Sequence, residues 1–441
     1  MTATLQGISL KDRLMSEYEL QRSALLLNNP LLERFREAAA KSFSEKGFPA
    51  RKDEEYRYLQ FNNILHPDLS APFAPNIASN AAMQIDFSLI DSSAPLIVLS
   101  NGFFNAELSQ LSGLPEACTV MSLAAAIQQN DKHALSVLGT LAKPAKDVFV
   151  ALNSALFMDG VFIYIPKGVI LEKPIQIIQH MQSDDCIFAQ PRILLVAEKH
   201  TQARIVHHNQ STRNTSRSVS NSVIEIELEE GAQVEWVSVQ EEGETTGNIV
   251  STESHVRKHA NLRHISVALS GVLVRNNLNI VLDEENCEGH LYGYYHPSQN
   301  EVIDNHTLVE HRKPHCESNE LYKGVVDGNG IAVFNGKVFV EKDAQKTNAF
   351  QSNKNILLSE GGSVNTKPQL EIYADDVKCS HGSSTGVLDP EQLFYLRSRG
   401  LRIEKARALL LNAYAGEVLE QIHNEELREK LASRIEKLIT I

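Results

Sequence analysis

Cysteine is scarce: the 441 residues include five, Cys118, Cys186, Cys287, Cys316 and Cys379. They are odd in number, far apart and contain no CxxC, which argues against a disulfide framework or a self-contained zinc site and for a reducing compartment. Tryptophan occurs once, at Trp236, and aromatics make up 6% of the chain, few for the stacking grooves that hold polysaccharides. No apolar run approaches the ~20 residues of a membrane helix. Met1 to Leu20 is mixed in charge, with neither the apolar core of a secretory signal nor the Arg/Ser-rich start of a transit peptide, so a cytoplasmic location is expected. A basic excess is also missing. Lys plus Arg total 42 against 55 Asp plus Glu, a net charge of −13, which excludes an ordinary nucleic-acid binder. There is no GxxxxGK[ST], no GxGxxG after a strand, no HExxH and no GxSxG, so the chain lacks the known loops for binding and hydrolysing a nucleotide.

What is present is an ordinary globular composition, 42% hydrophobic and 22% charged, long enough for two to four structural units at roughly 150 residues each. Three zones are legible. Residues 1–90 begin helically: Ser9 caps a helix with Leu10, Leu14, Tyr18 and Leu25 on one side. Asn29-Pro30 starts another with the stripe Leu31, Leu32, Phe35, Ala38, Ala39 and Phe43, ended by Gly47. Residues 91–385 form a mainly β core in which helical periodicity fades after Ser122 to Leu141. Alternating runs such as Val223 to Leu228 and Val234 to Val239 predict strands with one face buried. Residues 386–441 are helical again. Asp389-Pro390 opens one helix and Gly400 ends it; a second carries Ile403, Ala406, Leu409, Leu410, Ala413, Leu419 and Ile422, and Asn424 caps a third. So short an appendage has little core of its own and needs the solenoid end or another protein.

The strands carry a weak repeat. A polar turn ending in a small residue precedes each, at Thr201, Ala232, Ala260, Cys287, Cys316, Ala344 and Gly362, with intervals of 31, 28, 27, 29, 28 and 18. Near-regular spacing without helical periodicity predicts a β-solenoid whose coils bury their inner faces by stacking. A β-sandwich competes, but it calls for hairpin turns at closer spacing.

Three constellations carry possible chemistry. His290, His296, His306, His311 and His315 with Cys287 and Cys316 suggest a transition-metal cluster, against the plainer reading of solvated solenoid side chains. Carboxylate pairs such as Asp375-Asp376 suggest glycoside chemistry, known on β-helix scaffolds. In Lys378-Cys379-Ser380-His381-Gly382, a thiol and an imidazole two residues apart share a face if extended, half of a tetrahedral metal site. Spacing alone favours packing over ligation there.

The run Gln369 to Gly382, containing Asp375-Asp376-Val377-Lys378-Cys379-Ser380-His381-Gly382 and followed by Leu393 to Gly400, resembles the SufB/SufD family of the SUF iron–sulfur cluster assembly system, on its SufD side. So do Phe334 to Val338, Asp343 to Thr347, Gln351 to Leu358, Asp159 to Val169, and Gly47-Phe48-Pro49 with Glu54 to Tyr58. The resemblance implies a right-handed parallel β-helix flanked by N- and C-terminal helical regions. It also implies a non-catalytic subunit that pairs with SufB and couples through its C-terminal helices to the ATPase SufC. A transient iron–sulfur cluster would form at the SufB interface, with His381 at the position of a proposed ligand and Cys379 beside it; reduced flavin is an open question. Self-pairing when SufB is missing is also open. Arg407, Tyr414 and Glu417 are candidate ATPase contacts, weighed against a solvated or solenoid-packed face. Deleting residues 389–441 is expected to abolish ATPase binding and leave the β-helix folded. The reading of a different class is a β-helix carbohydrate-active enzyme.

Overall fold

The turns of the repeat bend through one residue in the left-handed region: His200, Gly231, His259, Asn286, His315 and Lys346, with φ from 57° to 70°. Non-glycine residues adopt this conformation uncommonly, and here coil-to-coil bonds hold it. The His200 N–H donates to Glu230 O at 2.9 Å, Gly231 to Lys258 O at 2.9 Å, and His315 to Gln345 O at 2.9 Å. The following residue points inward, which is why it is small: Ala232, Ala260, Cys287 and Cys316 are fully buried. The two thiols donate to carbonyls in the turns, Cys287 to Glu284 O at 3.0 Å and Cys316 to the same oxygen at 3.1 Å, and so fill the corner as small packing groups.

The computed structural model describes residues 8–50, 52–59, 61, 64–75, 83–212 and 216–440. Residues 1–7, part of the stretch read as lacking a leader, lie outside them. Residues 160–386 form a β-solenoid of about eight turns. Strands alternate between two faces. The first sheet runs from Leu96–Ser100 through Ile175–Met181, Gln202–Ser211, Gln233–Glu241, Asn261–Ser270, Glu288–Tyr295, Glu317–Val326 and Asn348–Leu357 to Lys378–Gly386. The second runs from Gly160–Ile165 through Arg192–Ala197, Ser218–Leu228, Thr246–Val256, Leu273–Leu282, Val302–His311 and Ile331–Val340 to Ser363–Ile372. Successive coils pair parallel, and antiparallel pairing among the described residues is confined to the starting end, where Phe103–Phe104 and Thr119–Ser122 cap it and Leu96 bridges Gln110. The sandwich reading is thereby excluded.

Register corrects the repeat in one place. Gln202, Gln233, Asn261, Glu288, Glu317, Asn348 and Lys378 are in line, so the sixth corner residue is Thr347 rather than Ala344. The turn at Ser359 to Gly362 is the opposite corner of the coil, before Ser363–Ile372, which explains the short interval of 18. Counted correctly, the intervals after Cys316 are 31 and 30, to Thr347 and Val377.

Helices cover both outer faces, and this overturns the expectation of one-sided strands. Ser218–Leu228 is buried at every position. Its outer side packs under the Val148–Leu156 helix, a mostly apolar run, broken only by Asn153 and Ser154, that periodicity could not tell from a buried strand. Glu225 therefore faces protein, not water. It pairs with Arg192 at 2.7 Å, both side chains 0% exposed, and accepts the N–H groups of Gly139, Leu141 and Ala142 at 2.9–3.1 Å. Leu31, which precedes the Leu32–Lys46 helix, and Ala38 within it are exposed, and Arg36 is buried instead. Its guanidinium donates to Ala155 O at 3.0 Å and Phe157 O at 2.8 Å, satisfying the carbonyl end of the Val148–Leu156 helix.

The C-terminal helices Ile403–Leu419 and Glu425–Thr440 lie along the flank of the first sheet, not on its end. Leu411, Ala415, Val418, Leu427, Leu431 and Ile435 pack against Val237, Val239, Val267, Tyr294 and Val325. The predicted stripe is rotated: Leu409 is 51% exposed and Ala408 is buried. Glu417 pairs with Lys323 at 2.7 Å, and the Tyr414 ring lies 4.1 Å from the same ammonium. Both thus contact the solenoid, while Arg407 stays exposed.

The interior is not wholly apolar. Burial lowers the pKa of His207, His264 and His311 from 6.5 to about 3, and raises that of Glu242 to about 8 and of Glu253 and Glu320 to about 7. The histidines fold neutral, so their cost appears as pH falls below 6.5, where the unfolded chain binds protons the folded one refuses. The carboxyls fold protonated, so their cost appears as pH rises from 4.5 through about 7 to 8. Stability measured by urea midpoint is expected to be highest between pH 4.5 and 6.5, where the two trends offset each other, and to fall on both sides. A midpoint still rising at pH 9 would contradict this.

Candidate functional site

The starting end of the solenoid is capped and the other is open. Lys378–Gly386 pairs only with Asn348–Leu357, and Ser363–Ile372 only with Ile331–Val340, so each leaves an edge without a strand partner among the described residues. Such edges are templates for another chain. Their surroundings are exposed, with Tyr373 61% and Phe350 46% accessible.

Cys379 and His381 sit on the last strand. Cys379 is in register with Ala349 and His381 with Gln351, so both continue interior columns of the solenoid, on one face and about 7 Å apart along the strand. Cys379 is half-buried against Val338, Val340, Ala344, Ala349 and Ala374, and burial raises its thiol pKa. His381 is exposed at the open mouth, and its ring hydrogen-bonds no other described residue. One thiol and one imidazole supply two soft ligands and leave further positions to another molecule. Across the mouth the hydroxyls of Thr366 and Ser383 lie 3.0 Å apart, and Asp376 pairs with Lys346.

The other histidine constellation is dispersed. His311 is buried with its Nε2 2.8 Å from Ser318 Oγ, His306 lies between Glu55 and Asp304 at 3.2 and 3.1 Å, and His315 forms a turn. Among the described residues no group of three or more His, Cys, Asp or Glu side chains is placed to hold a metal ion. The coil period puts these histidines on different coils and faces, which their closeness in sequence conceals.

The neighbours of His381 in its column were not singled out from sequence. Trp236, His264, Leu291, Glu320 and Gln351 precede it, coil by coil. Glu320 accepts from Thr307 Oγ1 at 2.8 Å and from Gln351 Nε2 at 3.1 Å. The signal was present: 320, 351 and 381 are spaced by the coil period once the corner is counted at Thr347.

Helical flanks, a two-faced solenoid and an uncapped end bearing one thiol and one imidazole describe a parallel β-helix with open strand edges rather than a closed metal site. Residues 179–414 match the SUF system FeS cluster assembly SufBD core domain, and residues 9–177 the SufBD protein N-terminal region. The chain belongs to the SufBD family of the SUF system. It is 34% identical over 404 residues to an iron–sulfur cluster assembly SufBD family protein of Synechocystis sp., covering 90% of this chain and 88% of that one. It is 28% identical over 395 residues to the iron–sulfur cluster assembly protein SufD of Escherichia coli, covering 88% and 89%, and 26% identical over 415 residues to the chloroplastic protein ABCI7 of Arabidopsis thaliana, covering 92% and 86%. No helix among the described residues is long and apolar enough to cross a membrane.

Proposed function

We propose that the chain is the SufD-type, non-catalytic subunit of a SUF assembly complex. Its open end meets SufB edge to edge, and His381, with Cys379 as a second donor, holds iron or a nascent iron–sulfur cluster at that boundary. The cluster is cargo. Two ligands on one side of a subunit boundary hold it loosely enough to pass on, whereas a closed thiolate shell would retain it. The observation that carries the reading is the placement of a thiol and an exposed imidazole on the inner face of a solenoid's unpaired last strand.

Energy would come from the ATPase SufC. The Pro390–Ser398 helix suits its docking, because it buries no residue and exposes Phe394 at 74% and Tyr395 at 56%. Reduced flavin has no residue assigned to it.

The test is co-expression with SufB and SufC, anaerobic purification, and analysis of iron and acid-labile sulfide. His381→Ala is expected to bring both to background with the complex still assembled, and Cys379→Ser to have a smaller effect. Wild-type iron and sulfide in the His381→Ala complex would refute the site. Recovery of the chain only as a pair with itself, even with SufB present, would refute the partner.

A further inference from the structure

Gln351 is 3% exposed, and its amide is held from one side only. Nε2 donates to Glu320 Oε2 at 3.1 Å, while Oε1 is buried and has no hydrogen-bond partner among the described residues. The amide nitrogen and the Thr307 hydroxyl both point at Glu320 Oε2, so that oxygen is the accepting side of the carboxyl and the amide oxygen of Gln351 is the atom left over. Thr307 holds the Glu320 carboxyl from across the interior at 2.8 Å. Gly336 leaves room for the amide, since a Cβ there would collide with Nε2. Oε1 is left without a partner among the described residues, and the residue in register with Gln351 on the next coil is His381. A buried acceptor left unpaired costs about 1–3 kcal/mol, which an adjacent N–H donor would relieve.

We infer that Gln351 is the positioning residue for His381: its Oε1 accepts the imidazole N–H on the interior side, selecting the tautomer whose other nitrogen presents its lone pair out of the solenoid mouth. The ligand class this serves is a soft or borderline first-row metal ion, as iron or within an iron–sulfur cluster, and in that respect the inference rests on the proposed role of His381. Orienting partners of this kind are worth about 10- to 100-fold in metal affinity.

The test uses the full-length chain labelled with ¹⁵N-histidine, the His381 signal being assigned by its loss in His381→Ala. Long-range ¹H–¹⁵N correlation is expected to show one ring tautomer in the wild type and a mixture in the near-isosteric Gln351→Met. The double variant Glu320→Gln/Gln351→Glu keeps an amide–carboxylate pair with its direction reversed and still offers an oxygen to the ring, so it should restore the wild-type tautomer. In parallel, anaerobic Co²⁺ titration against a competing chelator should show binding about tenfold weaker or more in Gln351→Met, recovery in the double variant, and loss of the site in His381→Ala. An unchanged tautomer in Gln351→Met overturns the inference. Should Gln351→Met not fold, a tautomer mixture in the double variant does the same. If the tautomer responds as expected but Co²⁺ binding ignores His381→Ala, the positioning stands and the ligand role of His381 falls.

Discussion

Replacing Arg192 with alanine is expected to lower the stability of the chain by about 3–5 kcal/mol, seen as a lower urea-unfolding midpoint. Its guanidinium meets Glu225 through Nε and Nη2 at 3.0 and 2.7 Å and reaches Asn153 and Ser154 at 3.2 and 3.0 Å. One side chain therefore joins a solenoid strand to the helix packed over it. Without it, Glu225 remains as a fully buried charge with only backbone N–H groups to compensate. Exposed pairs behave differently. Arg22, paired with Glu33 and Glu37 where every side chain is 42% or more accessible, is screened by water and adds little, so Arg22→Ala is the control. Equal midpoints for Arg192→Ala and Arg22→Ala would show that the buried pair does not tie the layers together. Hydrogen exchange should also rise first in Val148–Leu156.

Truncation at residue 402 is expected to remove the chain from the soluble fraction rather than leave a folded solenoid. This reverses the expectation that residues 389–441 are dispensable for the β-helix. Ile403–Leu419 and Glu425–Thr440 cover Val237, Val239, Val267, Tyr294 and Val325. Each large apolar side chain returned to water costs about 1.5–3 kcal/mol, and several together match the ~5–15 kcal/mol that holds a whole domain. The deletion cannot then report on ATPase docking. The double substitution Phe394→Ser/Tyr395→Ser can, because both rings are exposed and their helix buries nothing. It should leave the unfolding free energy from urea titration within about 0.5 kcal/mol of wild type and weaken SufC binding in pull-down. A soluble, cooperatively unfolding chain ending at residue 402 would show that the flank helices are accessories.

Local chemistry was readable wherever a short-range rule decides the backbone. Ser9 caps its helix, with Oγ accepting the Asp12 N–H at 3.2 Å, and Asp389 and Asn424 cap theirs as expected. Gly47 and Gly400 end helices at φ 66° and 89°. The coil repeat showed too, because each turn needs a small inward residue, and so the solenoid was legible without any three-dimensional information. Cys379 and His381 were legible as a pair for the same reason, since two residues along a strand bring side chains to one face.

Burial of the outer faces was not legible. Glu225 and Glu227 alternate with apolar residues as they would on a wet strand, but helices distant in sequence cover that face, and a pattern of polarity records an environment only when water is one of the two choices. Arg36 lies outside the apolar stripe read for its helix and is nonetheless buried, because the orphan carbonyls it satisfies lie more than a hundred residues away. The column from Glu320 through Gln351 to His381 depended on the inserted residues before Thr347, a matter of strand register. The amino-acid order thus determined the elements, their caps and the coil period, which are set by bonds between near neighbours. Tertiary structure alone decided which faces are dry, which end stays open and what stands behind His381, because those depend on surfaces that meet only when distant segments stack.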